Sequence, residues 1–243
     1  MRSWFSWLIV ALLCQASVSA FAVREFVFRS EGGGRTNTES HGFVSDQALR
    51  IEYEKHRIFF DRPKAKIVIW EEGKPKAMSM DKAGLKQVSG ILKSFGGMMR
   101  GRAEASPNKN LTLVSKGNKT IAGVPCSLKA VKESNDEVCI ATWSALGLSS
   151  NETRTLREFF ALFSELPTQM IPGTSSGNLV DLASQGKTGV PIHFKKARTG
   201  GKSELKSLKS VSKSSSFFHV PSSVKVENGL AGMGQMLQRS SGR

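Results

Sequence analysis

The sequence predicts an α+β fold, a meander of antiparallel strands interrupted by two amphipathic helices. Three observations predict it. Apolar residues alternate with charged ones through Phe26 and Phe28 and again through Leu49, Ile51 and Tyr53, the pattern of half-buried strands. The apolar period lengthens to three and four residues after Asp81 and again after Ser149, as helices require. The breaks between strand-like runs are short and rich in Gly, Pro, Asn and Asp, so successive strands turn back on one another.

Taken in order, the meander covers Val23 to Met80. Phe26 and Phe28 run into Gly32-Gly33-Gly34, Ile58 to Phe60 stops at Asp61-Arg62-Pro63, Ile67 to Trp70 stops at Glu72-Gly73-Lys74, and Lys76 to Met80 closes the series. Asp81 then caps a helix whose stripe is Leu85, Val88, Ile91, Leu92, Phe95, Met98 and Met99, and which ends among Gly96, Gly97 and Gly101 with Arg100 and Arg102 near its C-terminus. Strands resume at Leu111 to Val114, Thr120 to Val131 and Val138 to Trp143. Ser149 and Glu152 stand in capping-box spacing before a second helix with Leu156, Phe159, Phe160, Phe163 and Leu166 on one face, ended by Pro167. Residues 167 to 190 read as a long connection. Val190 to Phe194, Ser203 to Val211 and Phe217 to Val220 return to strand, and a Gly-rich tail from Gly229 is expected to fray.

Residues 1 to 22 read as an export signal. Arg2 makes a positive start, Leu8 to Leu13 an apolar middle, and small residues offer cleavage after Ala20 or Ala22. The apolar run is too short to span a membrane, which needs ~20 residues, and bulky Leu13 before Cys14 argues against a lipid-attachment site. The expected organisation is therefore a signal at 1–22, one domain at 23–228 and a tail at 229–243. The product is expected to be exported, and periplasmic in a Gram-negative cell.

The 243-residue chain carries 35 Lys and Arg against 20 Asp and Glu; without Arg2 the count is 34 against 20, an excess of 14. Such charge attracts anionic surfaces over a Debye length of ~8 Å. The lysines are dispersed and accompany no compact basic and aromatic motif, so nucleic acid is excluded and an anionic membrane surface or cell-wall polymer is the expected neighbour. The alternative is that the lysines only blunt strand edges.

Cys126 and Cys139 remain after the signal. An even count in an exported chain favours a disulfide, yet a tight turn at Ser134-Asn135 or Asn135-Asp136 would place Cys126 opposite about Trp143 and out of reach of Cys139. A longer loop would restore contact, and two buried thiols are the other possibility.

Catalysis has little to stand on. His41, His56, His193 and His219 are far apart in sequence, and no HExxH, GxSxG or phosphate-binding loop accompanies them. The expectation is a protein that is no enzyme, with no cofactor and no metal. The Asn-x-Thr triplets at Asn110, Asn118 and Asn151 matter only in a eukaryotic secretory pathway.

The order of strands, helix, hairpin, helix and terminal strands resembles the LolA-like superfamily of bacterial lipoprotein-localisation carriers, especially its exported families of unknown function. The resemblance is carried by Leu49-Arg50-Ile51, Ile67-Val68-Ile69-Trp70, Ile121-Ala122-Gly123-Val124-Pro125-Cys126, Glu137-Val138-Cys139-Ile140-Ala141, Gly189-Val190-Pro191-Ile192 and Phe217-Phe218-His219-Val220-Pro221. It departs at Cys139, where relatives often carry a large aromatic, and at Ser222-Ser223. It implies a curved, incomplete antiparallel β-barrel with helices covering its concave face.

Such a face would take a lipid or acyl chain, with Leu85, Val88, Leu92, Phe95, Met98, Met99, Phe159, Phe160 and Phe163 as the expected lining. The pliable Met98-Met99 end suits variable apolar ligands. The alternative is an interaction or structural scaffold in which the same residues fill a core.

Overall fold

The computed structural model describes residues 20–32, 37–87, 112–163 and 189–229. They form twelve strands: β1 (Ala20–Glu31), β2 (Thr38–Val44), β3 (Ala48–Tyr53), β4 (His56–Asp61), β5 (Lys66–Glu71), β6 (Lys76–Asp81), β7 (Leu113–Ile121), β8 (Val124–Val131), β9 (Glu137–Thr142), β10 (Gly189–Lys195), β11 (Lys202–Ser214) and β12 (Lys225–Asn228). All lie in one sheet, ordered β12-β6-β5-β4-β3-β2-β1-β11-β10-β9-β8-β7. Every pairing is antiparallel except β12 with β6. The expected meander is therefore real, and short turns produce it.

This sheet corrects the expected α+β half-barrel. It is open, with β12 at one end and β7 at the other, and the described residues hold two short α-helices, beside two 3₁₀ turns, in place of a helical layer. Segment α1 covers 82–87 of the described chain, and α2 is Ser150–Phe163. The fold is of the all-β type. Two long apolar stripes in the sequence implied two layers, but most of the buried cluster comes from strands paired side by side. Closure would need the terminal strands to pair. Instead β7 is an exposed edge broken by a bulge between Ser115 and Gly117, with Gly117 at φ 112, and the other edge is capped by four-residue β12. Bulges and exposed lysines such as Lys116 and Lys119 are how open edges avoid further pairing.

Three smaller expectations also change. The run from Thr120 to Val131 divides at a two-residue turn, Ala122-Gly123, whose φ values of 50 and 78 are those of a tight hairpin. Phe217 to Val220 is no strand: Ser215–Phe218 is a 3₁₀ turn, and the last strand is β12. β1 begins at Ala20, so Ala20, Phe21 and Ala22 pair with Ser214, Lys213 and Ser212.

The helix caps follow the sequence. Asp81 Oδ1 accepts the Gly84 N–H at 2.7 Å at the start of α1. Ser149 Oγ accepts the Glu152 N–H at 3.1 Å while Glu152 Oε2 accepts the Ser149 N–H at 2.7 Å, a reciprocal capping box. α2 is then tied to the β2–β3 turn, because Thr155 Oγ1 donates to the Asp46 carbonyl at 2.9 Å and Ser149 Oγ donates to Asp46 Oδ1 at 3.1 Å.

Cys126 and Cys139 are joined in a disulfide with Cα atoms 5.5 Å apart. The loop is longer than a two-residue turn: Asn135 sits at φ 56, and its N–H, like that of Ser134, bonds back to the Val131 carbonyl. That shifts the β8–β9 register to Leu128↔Cys139 and Ser127↔Ile140, two residues from the tight-turn alignment. The cysteines become diagonal neighbours on one face, within bridging reach.

Candidate functional site

The pleat gives the sheet an apolar face and a charged face. On the apolar face, cross-strand partners line up in rows. One row runs Val44, Leu49, Phe60, Ile67, Met80 across β2 to β6. All five are buried, in the same cluster as Leu85 of α1 and Leu156, Phe159 and Leu162 of α2. The Phe159 ring lies 5.7 Å from that of Phe60. Among the described residues, this row is the part of the face against which the helices pack.

The next row runs Leu208, Phe26, Gly42, Ile51, Ile58, Ile69, Met78 across seven strands, β11 to β6. Phe26 and Ile58 are buried, whereas Leu208, Ile51, Ile69 and Met78 are half-buried. Gly42 stands at its middle. A Cβ there would meet only the Phe26 Cβ, at 3.9 Å, so the missing side chain leaves a depression in an otherwise continuous apolar strip. At ~4.8 Å per strand the row is ~29 Å long.

Of the residues expected to line a cavity, Leu85 and Phe159 are fully buried in the common cluster, and Phe160 packs partly buried against it, 5.7 Å from Phe159 between ring centres. Phe163 closes α2, with its side chain outside the described residues. Val88, Leu92, Phe95, Met98 and Met99 also lie outside them. The Leu208-to-Met78 row was not singled out from the sequence. Gly42 carried no signal there, and its neighbours on the row come from strands 16 or more residues away on the β1 side.

The charged face is finished differently. His41 Nδ1 donates to Glu25 at 3.0 Å, and Lys209 pairs with the same carboxylate at 3.1 Å. In the same way His193 Nδ1 donates to Glu204 at 3.0 Å, joined by Lys202 at 3.1 Å and Lys206 at 3.4 Å. Each carboxylate accepts only, which assigns the proton to the imidazole Nδ1. Burial pushes the Glu25 and Glu204 carboxyls up, but their histidine and lysine partners outweigh it and hold both below the usual range. Burial, with the charge of Lys119, pushes the 4% exposed His193 imidazole down despite Glu204. Beyond these pairs, the Arg50 guanidinium lies over the Phe217 ring at 4.1 Å and donates to the Phe217 carbonyl at 2.6 Å, while Lys213 lies 4.5 Å over the same ring. This clamp holds the 3₁₀ turn to the sheet, and Phe218 stacks on Phe21 at 5.8 Å.

The four histidines are thus partly accounted for, since His219 Nδ1 also donates to the Ser215 carbonyl at 2.9 Å. Among the described residues no group of three or more His, Cys, Asp or Glu side chains is arranged to hold a metal ion. Nor is any described helix long and apolar enough to cross a membrane.

No family model matches the sequence, and no curated protein matches it. Among solved structures, two crystal forms of PNGF-II align over 90% of this chain with TM-scores of 0.45 and 0.44 at 10% and 6% identity, covering 33% and 34% of theirs. MucB in complex with MucA(peri) aligns over 85% of this chain and 57% of its own, with a TM-score of 0.34 and 11% identity. A LolA superfamily protein from Nitrosomonas europaea aligns over 85% of this chain and 90% of its own, with a TM-score of 0.24 and 9% identity. The chain thus spans about a third of PNGF-II and just over half of MucB. The last neighbour bears the family name that the sequence resembles, but likenesses this distant assign the chain to no family.

Proposed function

We propose that this is an exported, non-catalytic binding protein that takes a hydrophobic ligand, an acyl chain of a lipid, along the Leu208-to-Met78 row. The carrying observation is that row: seven apolar or glycine positions in register, five of them half-buried, with Gly42 leaving room at the centre. Each CH₂ laid against it and removed from water contributes ~0.8 kcal/mol. One lipid chain fills about half of a ~30 Å bilayer core, so it occupies about half the row. Export is supported by the basic and apolar start of the chain and by the Cys126–Cys139 bridge, which needs an oxidising compartment to persist.

Native mass spectrometry of the gently purified protein, with titration by a fluorescent fatty acid, tests the proposal. The parent is expected to bind, and Gly42→Leu to abolish most binding by filling the depression while Gly42→Ala, whose Cβ makes an ordinary contact, keeps it. A second reading, an interaction scaffold with a filled core, is favoured by the complete burial of Leu85 and Phe159. A clean apo mass with no fatty-acid uptake by the parent would establish that reading instead.

A further inference from the structure

The two edges of the sheet are finished in different ways. At one, Glu227 of β12 takes Lys225 at 3.1 Å and Lys76 of the neighbouring β6 at 2.9 Å, so an acid on the same strand pair offsets the lysines. At the other, β7 and its neighbour β8 carry Lys116, Lys119 and Lys129 and contain no Asp or Glu. Lys132 stands just beyond β8, and its N–H bonds the Thr112 carbonyl at 2.9 Å, which keeps it beside the start of β7. Lys116, Lys119 and Lys132 are exposed and Lys129 is half-buried, and among the described residues none of the four makes an ion pair. Charge is unevenly spread as a result: residues 112–142 and 189–201 hold seven Lys and Arg against three Asp and Glu, whereas 20–32 and 37–87 hold twelve against ten. Within the basic group sits Val114 of β7, opposite Ala130 and 45% exposed, one of few large apolar side chains left so open to water.

We propose that the β7 edge is the surface by which the mature protein rests on an anionic lipid membrane, with Lys116, Lys119, Lys129 and Lys132 over the head groups and Val114 entering the boundary with the acyl chains. Blunting an edge against further strands requires charge but not unbalanced charge, as β12 shows. Clustered lysines without acids are drawn to a leaflet of anionic lipid within a Debye length. An exposed apolar side chain among them adds an attraction that a soluble polyanion does not offer. The bulge between Ser115 and Gly117 meanwhile hinders a further strand from pairing there, which leaves the edge to another kind of partner. β7 lies four strands from β11, where the acyl row begins, so membrane binding and acyl binding succeed or fail separately.

Sedimentation of the mature chain with vesicles of equal parts phosphatidylglycerol and phosphatidylcholine tests the surface, with binding to soluble polyglutamate measured beside it. The parent is compared with Lys116→Gln/Lys119→Gln/Lys132→Gln and with a control that loses the same charge elsewhere at exposed positions, Lys55→Gln/Lys82→Gln/Lys86→Gln. A lysine held near an anionic surface is worth about fivefold in affinity, so the edge triple should bind vesicles about a hundredfold more weakly while the control loses far less. Val114→Ser should weaken vesicle binding severalfold and leave polyglutamate binding unchanged. Melting midpoints verify folding, and if the edge triple does not fold, Lys119→Gln against Lys55→Gln, with about a fivefold loss expected for the first, carries the test together with Val114→Ser. Equal losses in the edge variant and its control overturn the surface, as does a parent that binds no vesicles. Parent-like vesicle binding by Val114→Ser overturns the lipid and points to a polymer.

Discussion

Removing the Cys126–Cys139 bridge should cost about 3 kcal/mol of stability, and the figure follows from chain length. The cysteines are 13 residues apart, and cross-linking a loop of about that size withdraws roughly 3 kcal/mol of conformational entropy from the unfolded chain in the loop-closure account. The folded state gives little of this back. Both residues are buried in the main cluster, at 5% and 0% exposure, so reduced thiols remain in place as small apolar groups with nothing to gain from water. β8 and β9 stay paired through their ladder and through the Val131 N–H, which bonds the Asp136 carbonyl at 2.8 Å. For a chain of this size the loss corresponds to a drop of about 6 to 12 °C in the melting midpoint.

Thermal unfolding with and without dithiothreitol, paired with thiol titration of the denatured protein, measures it. Cys126→Ala with Cys139→Ala provides a reductant-free control, and alanine is chosen over serine because a buried hydroxyl would add its own cost. An unchanged midpoint after titration shows both thiols free would refute the entropic reasoning. Two free thiols in the unreduced protein would refute the bridge itself.

Acid should unfold the protein in two stages. His193 has its folded pKa pushed below the ordinary 6.5, so the unfolded chain takes up the proton first and stability falls as pH drops below 6.5 toward the folded value; Glu25 and Glu204, held below 4.5, repeat this lower down. Melting midpoints across pH should be flat above 7, and His193→Gln should flatten the first stage; the same decline in both proteins would remove His193 from the account. The excess of positive charge should make the mature protein sediment with anionic vesicles at low salt and release at high salt. Equal sedimentation with neutral vesicles would exclude electrostatics as the cause.

What could be seen in the sequence was local. The alternation of Leu49, Ile51 and Tyr53 and the turn at Glu72-Gly73-Lys74 reproduce β3 and the β5–β6 hairpin, because pleat and turn chemistry act between near neighbours. The Ser149/Glu152 cap was legible for the same reason. Relations between distant strands were not. That Leu208 shares a row with Phe26 depends on the β1–β11 register and on the bulge between Val27 and Phe28 further along that pair. A bulge shifts side chains between faces with no single residue to announce it. The β8–β9 register moved by two residues because the backbone of Asn135 adopts a positive φ, which asparagine permits but does not require. Helical stripes were over-read as a layer, since an apolar stripe shows that a helix buries a face and not how much of the sheet it covers.

The two faces of the sheet differ in how their polar groups are completed. On the charged face, Glu25 and Glu204 each gather a histidine and at least one lysine, and Arg50, though its Nε stays unpaired, is covered by the rings of Phe59 and Phe217 and bonded to a carbonyl. The apolar face keeps two buried nitrogens without partners, Trp143 Nε1 and His56 Nδ1, the latter on the strand that contributes Ile58 and Phe60 to the core. Orphaned polar groups inside an apolar wall destabilise the free protein.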